Sequence, residues 1–74
     1  MDQIVEITGW TIGMQKVSCT ELLRDSLGLG LADAKQLTDA ILIGTNQRLV
    51  IKSRAAAEEL VGKLNAIGVT ASVA

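Results

Sequence analysis

The chain has 74 residues, of which 49% are hydrophobic, yet Phe and Tyr are absent and Trp10 is the only aromatic residue. A chain of this length (residues 1–74) holds one domain, whose core has to be built from Leu, Ile, Val and Ala. The formal net charge of -1 produces no whole-molecule field that would attract nucleic acid. Because the chain has no His and one Cys, it lacks the residues of catalytic triads, Cys-His dyads and zinc sites. We therefore expect a non-enzymatic protein without a metal or other cofactor.

The apolar runs of the sequence are short. Gly, Asp, Lys or Thr interrupts each of them within about ten residues, whereas a membrane helix needs about 20 apolar residues. The lone Cys19 has no partner for an intramolecular disulfide, and we expect no secretory segment before Asp2. These features predict a cytoplasmic protein that does not cross a membrane.

The chain begins with a predicted strand and loop. In Gln3 to Thr8, Val5 and Ile7 alternate with Ile4, Glu6 and Thr8, the pattern of a strand with one wet face. The next segment, Gly9 to Met14, carries two glycines and has no clear period. It predicts a loop whose apolar side chains fold back onto the domain.

Two helices with almost no linker are predicted next. Ser18 and Glu21 fit a capping box, in which each side chain accepts a hydrogen bond from a backbone amide at the start of a helix. Gly28 is typical of the left-handed residue that ends a helix. Gly30 then lets the chain turn into a second helix over about Ala32 to Leu42.

The second half of the chain predicts a strand, a helix and a final strand. Turn residues precede Arg48 to Lys52, which alternates in the manner of a strand. Ser53 is a suitable N-cap for the third helix, and Gly68 marks its end. Val69 to Val73 alternates again and predicts the last strand.

The order of the elements is therefore strand, helix, helix, strand, helix, strand. Three strands with one apolar face need a cover, which three amphipathic helices supply as a second layer. The predicted fold class is α+β, a two-layer sandwich with three helices on one face of a three-stranded sheet. The predicted core consists of apolar residues on the inward faces of these elements: Val5, Ile7, Leu22, Leu37, Ile51, Leu60, Leu64 and Val73.

Two short features resemble reaction or ligand sites, and both have a simpler structural interpretation. Cys19 lies on the apolar stripe of the first helix, which favours a packed thiol over a nucleophile. The glycines of Gly28 to Gly30 resemble a phosphate loop, but a helix precedes them and Asp33 follows, where a dinucleotide site has a preceding strand and a third glycine. We interpret this segment as a tight corner between helices.

The corner and the second helix together are similar to a known family. The segment GLGLADAK, Gly28 to Lys35, matches the family's GLGLKEAK in six of eight positions and at the same place in the element order. Further matching residues extend over nearly the whole chain: Lys16, Val17, Arg24, Leu37, Ala57 to Leu60, Leu64 and Gly68. On these residues the chain resembles the C-terminal domain of the bacterial ribosomal large-subunit stalk protein, protein seven/twelve.

The resemblance implies a protein-binding module that docks a protein partner through its first two helices. In that family the partners are translational GTPases, so a GTPase of this kind or a ribosome-associated factor is the implied partner. The residues of this chain that the resemblance places at the contact are Lys16, Arg24, Gly30, Leu31, Asp33 and Lys35. Among these, Asp33 stands where the family has Glu.

The chain also departs from the family. Thr20 and Glu21 stand where the stalk domain presents an apolar residue and a lysine, and Ala32 replaces another lysine. The expected surface is therefore less basic than that of the family. Because Met1 lies almost at the first strand, we expect the chain to lack the N-terminal dimerisation domain and hinge of a stalk protein.

Two other functions remain open at this point. A nucleic-acid-binding module would need six cations to converge into one patch: Lys16, Arg24, Lys35, Arg48, Lys52 and Arg54. The acidic balance and the scarcity of aromatic residues argue against it. A structural, homo-oligomeric protein would pair through an exposed strand edge. We expect a monomer or a weak homodimer.

Overall fold

The computed structural model describes residues 2–74. Its elements are β1 (Gln3–Trp10), α1 (Lys16–Leu27), α2 (Leu31–Leu42), β2 (Gln47–Ile51), α3 (Arg54–Ala66) and β3 (Val69–Val73). β1 is the central strand and pairs antiparallel with β2 on one side and β3 on the other. α2 packs against β1, α3 packs against all three strands, and α1 packs against α2 and α3. The predicted α+β fold and its order β-α-α-β-α-β are confirmed.

The core lies between the helices and one face of the sheet. Its buried apolar residues are Val5, Ile7, Cys19, Leu23, Ala34, Ile41, Leu49, Ile51, Ala57, Leu60, Leu64, Val69 and Ala71. The core assignment was wrong for Leu22, Leu37 and Val73, which are only partly buried at its rim. In α1 the inward stripe runs through Leu23, and Leu22 lies about 100° further round the helix. Leu37 is displaced in the same way, because Thr38 occupies the inward position of α2.

β1 is longer than the sequence pattern predicts. The loop expected from Gly9 is wrong for its first two residues, because the strand continues through a β-bulge to Trp10. The bulge lies between Ile7 and Gly9, and it brings Trp10 opposite Val69 on the helix-covered side of the sheet. There the indole Nε1 donates a hydrogen bond to the carbonyl oxygen of Leu42, at 3.0 Å. A bulge has no signature in the alternation of apolar residues, which explains the error.

The start of α1 also differs from the prediction. The helix begins at Lys16, and Gln15 is its N-cap, with no capping hydrogen bond from a side chain. The amide of Cys19 donates to the Gln15 carbonyl at 2.9 Å, so Ser18 already lies inside the helix. Its hydroxyl donates to the side chain of Gln15 at 3.2 Å. The capping box of Ser18 and Glu21 is therefore wrong, whereas the caps predicted further along the chain, at Gly28 and Ser53, are confirmed.

The segment before α1 is held against the turn that joins α3 to β3. The amide of Thr11 donates to the Gly68 carbonyl at 2.8 Å, and the amide of Gln15 donates to the Ile67 carbonyl at 3.0 Å. The backbone of Gly68 has φ +92°, and a Cβ atom at this position would lie 2.8 Å from Cα of Met14. Only glycine satisfies both the backbone conformation and this close approach.

Replacing Gly68 and Gly62 with alanine is expected to change stability in opposite directions. Gly68→Ala introduces a left-handed alanine and a backbone clash, so we expect the free energy of unfolding to fall by about 2 kcal/mol or more. Gly62 lies inside α3, where a Cβ atom meets nothing within 4 Å. Gly62→Ala should therefore raise the free energy of unfolding by roughly 1 kcal/mol. Thermal and urea unfolding of both variants measure these changes. Equal effects of the two substitutions would contradict the close approach at Gly68.

Candidate functional site

An open groove of about 480 Å³ lies between α1 and α2. The residues that line this α1–α2 groove are Lys16, Val17, Thr20, Glu21, Arg24, Leu31 and Lys35. Of the contact residues implied by the resemblance, the structure therefore brings together the three cations and Leu31. Gly30 and Asp33 lie at the start of α2 but do not line the groove.

The charged lining of the groove is mainly positive. Glu21 is the one carboxylate among the lining residues, facing three cations. Lys16 Nζ lies 3.3 Å from Oδ1 of Asp39, and Arg24 Nε lies 3.9 Å from Oδ1 of the adjacent Asp25. Within residues 2–74, Lys35 makes no ion pair. Because exposed pairs of this kind are worth little, the cations remain available to carboxylates of a partner.

Two large apolar side chains accompany these cations. Val17 is 72% exposed and Leu31 is 59% exposed, and both border the α1–α2 groove. Exposed apolar groups inside a charged rim are what a protein interface uses as anchors. The resemblance to the stalk domain implied Leu31 as a contact residue, whereas it included Val17 only as a matching residue.

Gly30 and Asp33 have different positions from the lining residues. Gly30 has φ -68° and ψ 161°, an extended backbone that any residue adopts, and a Cβ atom there meets nothing within 4 Å. The fold therefore does not require a glycine at this position. Asp33 lies in the first turn of α2, where its negative charge interacts favourably with the positive end of the helix.

A buried pair of threonines joins the two helices beneath the groove. Thr20 Oγ1 donates to Thr38 Oγ1 at 2.9 Å, and Thr38 Oγ1 donates in turn to the Ala34 carbonyl at 3.1 Å. Thr38 has no exposed surface. Sequence reasoning missed this pair, because a threonine on a helix gives no signal of the hydroxyl that it meets on another helix.

Cys19 lies beside this pair in the core. Burial raises the pKa of the Cys19 thiol, and side-chain hydrogen bonding with Thr38 partly opposes that rise. The thiol is fully enclosed, so it stays neutral and unreactive at pH 7. The interpretation of Cys19 as a packed thiol agrees with its position.

Comparisons with known proteins add no assignment: no protein-family model matches the chain, and no significant match occurs among curated proteins. Across residues 2–74, the Cys, Asp and Glu side chains form no cluster that would hold a metal ion. The same residues contain no helix with the length and apolar character needed to span a membrane.

A double-mutant cycle on the threonine pair tests its role in holding α1 to α2. Thr20→Val and Thr38→Val should each lower the free energy of unfolding by about 0.5 to 1.5 kcal/mol, because each removes the buried hydrogen bond between the two hydroxyls without a large change of volume. Thr38→Val also removes the bond to the Ala34 carbonyl and should cost the more of the two. The double variant should cost about as much as Thr38→Val alone, since the bond between the two hydroxyls is already lost in that variant. Urea unfolding measures all three. Strictly additive losses would show that the two hydroxyls do not interact.

Proposed function

We propose that this domain is a non-catalytic protein-binding module that docks an acidic protein partner in the α1–α2 groove. The convergence of Lys16, Arg24, Leu31 and Lys35 on one groove carries the proposal. These residues lie on two different helices. The resemblance to the stalk domain is what led us to expect them at one partner-binding surface. The combination of apolar anchors and a positive rim suits a partner segment that carries apolar side chains and carboxylates.

The partner class is part of the same proposal. The resemblance implies a translational GTPase or a ribosome-associated factor, and such partners place the domain in the cytoplasm. A reducing compartment is compatible with the buried, unpaired Cys19. Gly30 supports a contact at the corner, because the fold does not require a glycine there and the missing side chain allows a partner backbone to approach closely.

Nucleic-acid binding is the alternative that the positive charges raise. The six cations fall into separate groups, because Lys16, Arg24 and Lys35 line the groove while Arg48 lies on β2. Arg48 pairs with Glu6 at 3.5 Å, and Arg54 at the start of α3 pairs with Glu58 at 3.1 Å. Trp10, the only aromatic side chain, is hydrogen-bonded to Leu42 and does not line the groove. Stacking platforms for bases are therefore missing from the groove.

Titration of the isotope-labelled domain with a purified bacterial elongation factor tests the proposal. We expect amide shifts along α1 and at the start of α2, with Leu31→Ala weakening binding about tenfold or more, as for an interface anchor. Val50→Ala is the matched control, since Val50 on β2 is as exposed as Leu31, at 59%. The control should bind like the parent.

Three results of this titration would contradict the proposal. Equal losses for Leu31→Ala and Val50→Ala would remove the groove as the binding surface. Binding of a short DNA or RNA duplex that weakens steeply with salt, without binding of the factor, would favour a nucleic-acid module. A concentration-dependent change of elution volume for the domain alone, with shifts at a strand edge, would favour a homo-oligomer.

Glu21→Lys should strengthen binding to the same acidic partner. Glu21 is exposed and lines the groove, and it makes no ion pair within residues 2–74. Because it is not part of a cap, the free energy of unfolding should change by no more than about 0.5 kcal/mol. Calorimetric titration and thermal unfolding measure the two quantities. Weaker binding at unchanged stability would identify Glu21 as a contact to a basic group of the partner.

A further inference from the structure

The two edges of the sheet differ in how their backbone groups are used. The amide of Ala74 donates to the Ile4 carbonyl at 2.8 Å, so Ile4 and alternate residues of β1 point their backbone groups toward β3. Val5, between them, points toward β2, where it pairs with Leu49. Since successive residues of a strand alternate in direction, the N–H and C=O groups of Arg48 and Val50 point away from the sheet, to the open edge of β2.

The edge of β3 is already partly occupied. The outward amide of Ala71 donates to Oδ1 of Asn65 at 3.2 Å, so a side chain from α3 takes the place of a neighbouring strand. The backbone groups of Arg48 and Val50 have no such partner among the side-chain hydrogen bonds of residues 2–74. β2 is therefore the more open of the two edges for another strand.

A second groove borders this free edge. It consists of two adjoining cavities of about 170 and 300 Å³, both lined by Ser26, Ile51 and Ala56. We call it the β2 groove; its further lining residues are Leu27, Val50, Lys52, Glu59, Leu60 and Lys63. An added strand would direct alternate side chains toward the helix side, against Ile51 and Leu60, and the others along the outer face of the sheet.

The charge on that outer face selects the occupant. Arg48 lies in β2 and Lys52 directly follows the strand. Each is two residues from the exposed Val50, so all three lie on the same face of the sheet. Arg48 has Glu6 as a partner across the sheet, while Lys52 makes no ion pair within residues 2–74. A second copy of the chain, paired antiparallel about Val50, would set Arg48 of one copy opposite Lys52 of the other. Like charges directly opposite each other are unfavourable, whereas carboxylates there are favourable.

We propose that β2 binds an extended, acidic segment of a partner protein as a fourth strand of the sheet. The segment alternates apolar and acidic side chains. Its backbone pairs with Arg48 and Val50, its apolar side chains enter the β2 groove, and its carboxylates lie beside Lys52 and Arg48. This surface is separate from the α1–α2 groove, because the two grooves share no lining residue.

A pair of synthetic peptides tests this site on the intact chain. The first is a short blocked peptide in which Val and Glu alternate, and the second has Lys in place of each Glu. We expect the Glu peptide to bind with shifts at the Arg48 and Val50 amides, and to slow the hydrogen exchange of those two amides. Lys52→Glu should weaken binding of the Glu peptide about tenfold, because an attractive cross-strand pair becomes repulsive. The same variant should strengthen binding of the Lys peptide, because there a repulsive pair becomes attractive.

Arg54→Glu is the matched control, since it reverses a cation that lines neither groove and should leave both peptides unaffected. Lys52→Glu should leave the elongation-factor titration unaffected, so the two proposals fail independently. Any of three results would overturn the β2 site: equal affinity for the Glu and Lys peptides, amide shifts confined to the α1–α2 groove, or pairing of the peptide with β3. So would self-association of the chain through β2 without peptide, because the occupant would then be a second copy.

Discussion

The buried hydrogen bond from Thr20 to Thr38 fixes how α1 lies on α2, and the candidate site depends on that placement. Both hydroxyls are enclosed between the helices, and each has a further acceptor or donor nearby, so no buried side-chain polar atom of residues 2–74 is left without a partner. A buried hydroxyl pair favours one register of the two helices, because a shift breaks the bond between the helices and leaves each hydroxyl only the carbonyl of its own helix. That register brings the cations of α1 beside Leu31 and Lys35.

A second constraint positions the start of α1. The segment from Thr11 to Gln15 is hydrogen-bonded to the turn at Gly68, where no larger residue fits. These hydrogen bonds join the start of α1 to the turn that precedes β3. They therefore fix the position of the α1–α2 groove relative to the sheet.

The distribution of charge gives the two proposed surfaces a common preference. The chain as a whole carries a net charge of -1, yet the α1–α2 groove is lined mainly by cations and the edge of β2 carries Arg48 and Lys52. Acidic segments are therefore attracted to local patches, and not to the molecule in general. The two surfaces differ in the groups that can contact a partner. The α1–α2 groove presents side chains alone, whereas the edge of β2 also presents backbone N–H and C=O groups.

The sequence by itself determined the element order, the fold class and part of the core, because helix and strand periods and the residues Gly28, Ser53 and Gly68 are local signals. It indicated Lys16, Arg24, Leu31 and Lys35 through the resemblance, and their meeting in one groove required the packing of α1 on α2. Only the tertiary structure decided where α1 begins, since the hydrogen bonds at Gln15 come from contacts that are distant in sequence and not from a capping box. The same holds for the bulge before Trp10, the threonine pair and the asymmetry of the sheet edges. Each depends on which backbone or hydroxyl group lies opposite another across the fold, and residue type alone does not encode that.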